Sequence, residues 1–226
     1  MMTESVLVAW SGGKDSAMAL YRVQRDPRFQ VLGLLTTVTA DYDRVTMHGV
    51  RRTLLEQQAR HLRLPLHQVT ISRDASNDEY EAAMEAAMAR FHKRGVTSVV
   101  FGDIHLEDVR RYREENLARA GMKAVFPIWG EETQALVRSF IELGFRAIVT
   151  CVDSKVLDGA FCGRVIDDRF LSELPTGIDP CGENGEYHSF VFDGPVLDSP
   201  VPYTRGETVI RDALVFLDLL TGEAGP

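Results

Sequence analysis

Val6-Leu7-Val8-Ala9-Trp10-Ser11-Gly12-Gly13-Lys14-Asp15-Ser16-Ala17-Met18-Ala19-Leu20 decides the fold. An apolar β-rich run stops at a Ser-Gly-Gly turn and passes straight into a helical pattern. Strand, tight loop and helix N-terminus follow one another without a linker. At a helix N-terminus the unpaired backbone N–H groups and the positive end of the dipole point the same way, so the loop is an anion site. Gly12 and Gly13 can take φ > 0 and place no Cβ in the path of a phosphate. Ser11 and Ser16 add hydroxyls, Lys14 adds a cation, and Asp15 puts a carboxylate in the first helical turn. The spacing is neither G-x-x-x-x-G-K-[ST] nor G-x-G-x-x-G.

Outward from this loop, apolar runs alternate with helical patterns. Strands are predicted over Ser5–Trp10, Gln30–Val38, Leu66–Ile71, Thr97–Phe101 and Ala124–Phe126. Helices are predicted over Lys14–Arg25, Val50–Leu64, from a cap at Asn77 or Asp78 to about Arg94, and over Leu106–Ala120. This alternation predicts an α/β fold, a parallel sheet with helices on both faces. Ligands of such sheets lie beyond the strand C-termini where strand order reverses. The polar strand ends Ser11–Ser16, Thr36-Thr37 and Gly102-Asp103 are expected to converge there. After Pro127 the rhythm changes: a helix over Glu131–Leu143, a strand over Phe145–Val152, then a loop-rich segment. A boundary near residue 128 divides residues 1–128 from a smaller α/β part, 129–226.

The composition sets outer limits. The chain has 226 residues, 45% hydrophobic and 26% charged, with a formal net charge of −8. That balance disfavours loose binding to nucleic acid or anionic membrane, which needs a basic surface. No apolar run approaches the ~20 residues of a membrane helix. Cys151, Cys162 and Cys181 form no C-x-x-C pair, and free thiols in a cytoplasmic protein are the simplest reading.

A second unusual stretch is Gly177-Ile178-Asp179-Pro180-Cys181-Gly182-Glu183-Asn184-Gly185-Glu186-Tyr187-His188-Ser189-Phe190. Its glycines, carboxylates and histidine suit a loop that approaches a ligand closely. Asn184-Gly185 predicts a type I′ hairpin turn within it.

S-G-G-K-D-S after an N-terminal strand resembles the PP-loop of the N-type ATP pyrophosphatases, which split ATP into AMP and pyrophosphate. With F-G-D-I in the middle and D-P-C-G-E-N-G-E-Y-H late, residues 5 to 195 are similar to the diphthine–ammonia ligase family, in its compact form. The resemblance implies a HUP-type ATP-binding domain over 1–128 and a substrate-binding domain over 129–226. It implies an ATP-dependent ligase that adenylates a carboxylate, releases pyrophosphate and lets ammonia displace AMP. The implied acceptor is diphthine on elongation factor 2. Ser11, Gly12, Gly13, Lys14, Asp15 and Ser16 would hold the ATP phosphates, with Gly102 and Asp103 beside the nucleotide. Glu183, Glu186 and Tyr187 would face the acceptor or ammonia.

The chemistry needs charge neutralisation at the departing pyrophosphate. Lys14 and a Mg²⁺ ion on Asp15 or Asp103 would supply it. Glu183 or Glu186 could take a proton from ammonium; His188 is a competing base, or a packed structural residue. Thr36, Thr37 and His48 are further candidates for the nucleotide, and Arg44 and Asn184 for the substrate. His105–Arg113 reads as a solvated, charge-paired helix entrance, and Cys181 as a small buried thiol. A homo-oligomer is compatible with the sequence. Two other functions fit the loop: a PP-loop pyrophosphatase acting on tRNA or a small carboxylic acid, and an adenine-nucleotide sensor without turnover.

Overall fold

The computed structural model describes residues 3–39, 44–45, 49–72 and 75–222. The chain divides into two compact units that interleave in sequence. The first comprises Met1–Ser11, Asp15–Thr46 and Leu64–Gly130; the second comprises Gly12–Lys14, Met47–Arg63 and Glu131–Pro226.

The first unit is built on β1 (Glu4–Ala9), β2 (Phe29–Thr39), β3 (Arg44–Val45), β4 (Leu66–Ile71), β5 (Ser98–Val100) and β6 (Lys123–Val125). Five of these form a parallel sheet in the order β4-β2-β1-β5-β6, with β3 added antiparallel at the end of β2. The sequence runs outward from β1 in one direction to β4, then returns to its other side at β5. Strand order therefore reverses between β1 and β5, where such sheets bind ligands.

Helices α1 (Lys14–Gln24), α3 (Asn77–His92) and α4 (Glu107–Arg119) flank the sheet. Leu7, Leu35, Val69 and Val99 from four strands pack with Ala87, Met88 and Phe91 of α3 and Leu117 of α4. Strand alternation turns Val6 and Val8 to the other face, and both are fully buried. The cap of α3 is Ser76 rather than Asn77 or Asp78. Its hydroxyl accepts from Glu79 N–H while Glu79 reaches back to Ser76 N–H. That reciprocal pair satisfies two terminal donors, which a cap one residue later would leave open.

The second unit holds a four-stranded antiparallel sheet in the order β8-β7-β10-β9, made of β7 (Arg146–Asp153), β8 (Tyr187–Asp193), β9 (Tyr203–Arg211) and β10 (Leu214–Thr221). Its helices are α2 (Arg52–His61), α5 (Thr133–Glu142) and α6 (Asp168–Glu173). Helix α2 joins this unit because its apolar stripe is buried there: Val50 and Leu54 pack with Ile148, Phe190, Phe192, Val201, Leu217 and Leu219. Arg51, just before α2, grips Asp218 of β10 with a fork of two bonds at 3.0 and 2.6 Å. At the other end of α2, His61 meets Ser199 and Arg63 pairs with Asp198.

The hairpin expected within Gly177–Phe190 does not form. No strand precedes β8 there, and only Gly177, Gly182 and Gly185 have positive φ. A type I′ turn needs φ > 0 at Asn184 as well. The segment is a coiled loop leading into β8.

Candidate functional site: a phosphate-type loop held by a strand edge

In the first unit, Trp10 N–H donates to Leu35 O at 2.7 Å, so Thr36 and Thr37 of β2 come level with the start of the loop. Thr36 is buried. Ser11 and Ser16 share a hydroxyl–hydroxyl bond of 3.2 Å across the loop. Gly102 lies against the first turn of α1: an added Cβ would come within 2.7 Å of Asp15 C and 2.9 Å of Ser16 N. Only glycine permits that approach at the end of β5. Asp103 accepts a fork from Arg113, at 2.6 and 3.1 Å, and the guanidinium stacks on Phe101. Both Asp103 oxygens are therefore turned to a cation of its own chain. The rest of the His105–Arg113 entrance is charge-paired, Arg110 with Glu114 and Arg111 with Asp108.

The centre of the loop is held in the second unit. Gly12 has φ +81°, and an added Cβ would meet Leu55 Cδ2 at 2.6 Å and Gln58 Oε1 at 2.8 Å. Gly13 does not have positive φ. Gly12 O accepts from Val191 N–H at 2.9 Å and from Gln58 Nε2 at 3.0 Å. Lys14 N–H donates to Ser189 Oγ at 3.3 Å. Strand β8 is an edge of its sheet, and edge strands leave N–H and C=O groups for other partners. Here the loop takes one of them.

Lys14 is only 4% exposed. A buried ammonium needs a compensating partner, and its Nζ stands 5.5 Å from the centre of the Tyr187 ring. Tyr187 is itself fixed: its hydroxyl donates to Pro180 O at 2.6 Å, and Phe170 packs edge-on against its ring. Gly182 presses on the same ring, where a Cβ would sit 2.9 Å away. His188 follows. Burial first, and then the charge of Lys14, push its imidazole down to about 4, so it is neutral near pH 7.

Residues 177–186 are braced from inside. Asp179 Oδ1 accepts from Cys181 N–H and Glu183 N–H. Glu186 is 5% exposed. Its Oε1 accepts from Asp179 N–H and Asn184 Nδ2, and its Oε2 from Asn184 N–H, at 3.1, 3.0 and 3.0 Å. Glu186 thus ties the loop together, while Glu183 is partly exposed and Asn184 is exposed. The Cys181 thiol donates to Thr133 O at 3.3 Å from a buried position. None of the three cysteines is in a disulfide, and burial pushes the Cys151 thiol up to about 12. Arg44 lies in β3 opposite Thr39; His48 falls outside the described residues.

Gln58, Ser189 and Val191 escaped the sequence reading. A signal for Gln58 was present: it is an amide within the apolar stripe Leu54, Leu55, Gln58, Ala59, Leu62, and a buried amide must find partners. Val191 acts through its backbone and carries no such signal.

The sequence matches the diphthamide synthase N-terminal domain over residues 4–124 and the diphthamide synthase C-terminal domain over residues 132–211. It is 27% identical over 229 residues to diphthine–ammonia ligase of Rattus norvegicus, covering 91% of this chain and 85% of that protein. The same figures hold for the enzyme of Homo sapiens. For that of Danio rerio, identity is 27% over 223 residues, covering 89% of this chain and 87% of the relative. With the loop, the reversal of strand order and both domain matches in agreement, the chain belongs to the diphthamide synthase family.

Proposed function

We propose that this protein is an ATP-dependent amide-forming ligase that adenylates a carboxylate and lets ammonia displace AMP. The observation that carries the reading is the loop itself. Its glycine is held at positive φ, its lysine is buried, and it opens α1 beside the reversal of strand order. The names of the relatives point to diphthine as the acceptor and ammonia as the nitrogen source.

The chemistry has two balanced steps. A carboxylate oxygen attacks the α-phosphorus of ATP; the bond to the bridging oxygen breaks and pyrophosphate leaves. Neutral ammonia then attacks the acyl carbon; the bond to AMP breaks, and one proton goes to a base. In the first step the loop's backbone N–H groups and Lys14 hold the triphosphate and stabilise the leaving charge. Diphthine on elongation factor 2 would bring the carboxylate to residues of the second unit, with Glu183 as a partly exposed carboxylate of the late motif. Glu183 would hold ammonium and accept its proton.

Magnesium fits this donor set in one way. Among the described residues no three His, Cys, Asp or Glu side chains cluster, and both Asp103 oxygens are engaged by Arg113. Of Asp15 and Asp103, Asp15 is the one we assign to the ion; it would hold Mg²⁺ together with phosphate oxygens and water, as is usual for Mg²⁺ at nucleotides. The ion would neutralise charge on the phosphates. No helix among the described residues is long and apolar enough to cross a membrane.

The test is product analysis. Incubation with ATP, ammonia and diphthine-bearing elongation factor 2 should yield AMP, pyrophosphate and amide in equal amounts. ADP and inorganic phosphate in their place would overturn the cleavage site. Lys14→Ala should abolish AMP formation.

A further inference from the structure

Gln58 is 1% exposed on α2. Its amide nitrogen has two hydrogens, and both are used: one goes to Gly12 O at 3.0 Å, the other to Val191 O at 2.6 Å. Val191 N–H in turn donates to Gly12 O at 2.9 Å. Gly12, Val191 and Gln58 thus close a small ring of three hydrogen bonds on the outer edge of β8. A carboxylate at position 58 has no donors, and asparagine is one methylene too short to reach both carbonyls.

The ring has a directional consequence. In a trans peptide the C=O of one residue and the N–H of the next point opposite ways. Holding Gly12 O against β8 turns Gly13 N–H away from β8, and Ser189 Oγ fixes the next N–H, that of Lys14. The orientation of successive loop amides is thus set by groups that need not touch a ligand.

We infer that Gln58, acting with the outer edge of β8, is a positioning residue for the nucleotide: it sets the peptide planes of the phosphate loop and thereby ATP affinity. The inference rests on the function proposed above and extends it to a residue on neither of the two motifs. A purely structural glutamine would change stability and leave affinity alone.

The experiment is calorimetric binding of α,β-methylene ATP, whose α–β linkage cannot be cleaved, to the full chain. Gln58→Met keeps the volume and removes both donors. The expected result is a Kd raised about tenfold, with Val201→Ala, which thins the core of the same unit, leaving Kd unchanged at a comparable loss of Tm. Ser189→Ala, a smaller change on the same strand, should raise Kd about threefold, and it decides the matter if Gln58→Met does not fold. A folded Gln58→Met that binds as tightly as wild type overturns this inference alone, as does an unchanged Kd for Ser189→Ala in its place. A wild-type chain that does not bind the analogue overturns the proposed function and this inference with it.

Discussion

Lowering the pH from 7 to 5 should weaken the fold through His188. Its imidazole is held at about 4 by burial and by the Lys14 charge, whereas an unfolded chain takes up the proton near 6.5. The unfolded state therefore binds more protons between those two values. Stability is intact above pH 6.5 and is lost as the pH falls through the window towards 4. Linkage with these two values gives a loss of about 2 kcal/mol at pH 5 and about 3 kcal/mol below pH 4. For a chain of this size, 2 kcal/mol is a fall in Tm of about 4–8 °C. Burial and Arg90 lower the His67 imidazole too, so the wild-type curve alone does not isolate His188. The measurement is the difference between wild type and His188→Gln, each melted at pH 7 and pH 5. His188→Gln should lose about 2 kcal/mol less over that interval. Equal losses in the two proteins, or an NMR titration of His188 with its midpoint at the ordinary value, would refute the account of its surroundings.

Two further outcomes follow from the loops. Gly12→Ala meets both strain at φ +81° and steric conflict with Leu55 and Gln58, whereas Gly130→Ala meets strain at φ +75° with nothing within 4 Å. Denaturant unfolding should show about 1 kcal/mol lost at Gly130 and about 2–4 kcal/mol at Gly12; equal losses would mean the Gly12 contacts do not constrain the loop. Glu186→Gln places an NH₂ among Asp179 N–H, Asn184 N–H and Asn184 Nδ2. It should cost about 1–3 kcal/mol and shorten the proteolytic lifetime of the 177–186 loop, and an unaltered cleavage rate would remove Glu186 as its brace.

The first unit was legible because its signals are local. Apolar runs, caps and the Ser-Gly-Gly turn each act within a few residues, and their alternation fixes a parallel sheet before any long-range contact is known. Strand ends moved by a residue or two, as at Ser98–Val100 against the expected Thr97–Phe101. The second unit was less legible for an equally physical reason. Helix α2 reads as one more helix of the alternating pattern, yet its stripe is buried against residues about 100 to 170 positions later, and nothing in its own sequence names that partner. Asn184-Gly185 carries a strong local turn signal. Glu186 overrides it by gathering three N–H donors, which fixes Asn184 in a conformation outside the I′ turn.

The late motif also changes meaning once its spacing is set beside the loop. Tyr187, Ser189 and Val191 stand at i, i+2 and i+4 on β8, and they meet Lys14 Nζ, Lys14 N–H and Gly12 O in turn. A strand's period of two matches a loop running alongside its edge. The glycine and carboxylate residues just before β8 place Tyr187: Gly182 allows the ring its close backing, and Glu186 and Asp179 hold the chain that carries it. Residue types that read as an acceptor site are here first a mount for the loop. Glu183 of the same motif is partly exposed, and the acceptor contact proposed above is assigned to it. On this argument, changes at Tyr187 or Ser189 should act on ATP affinity before they act on the acceptor, and changes at Glu183 should do the reverse.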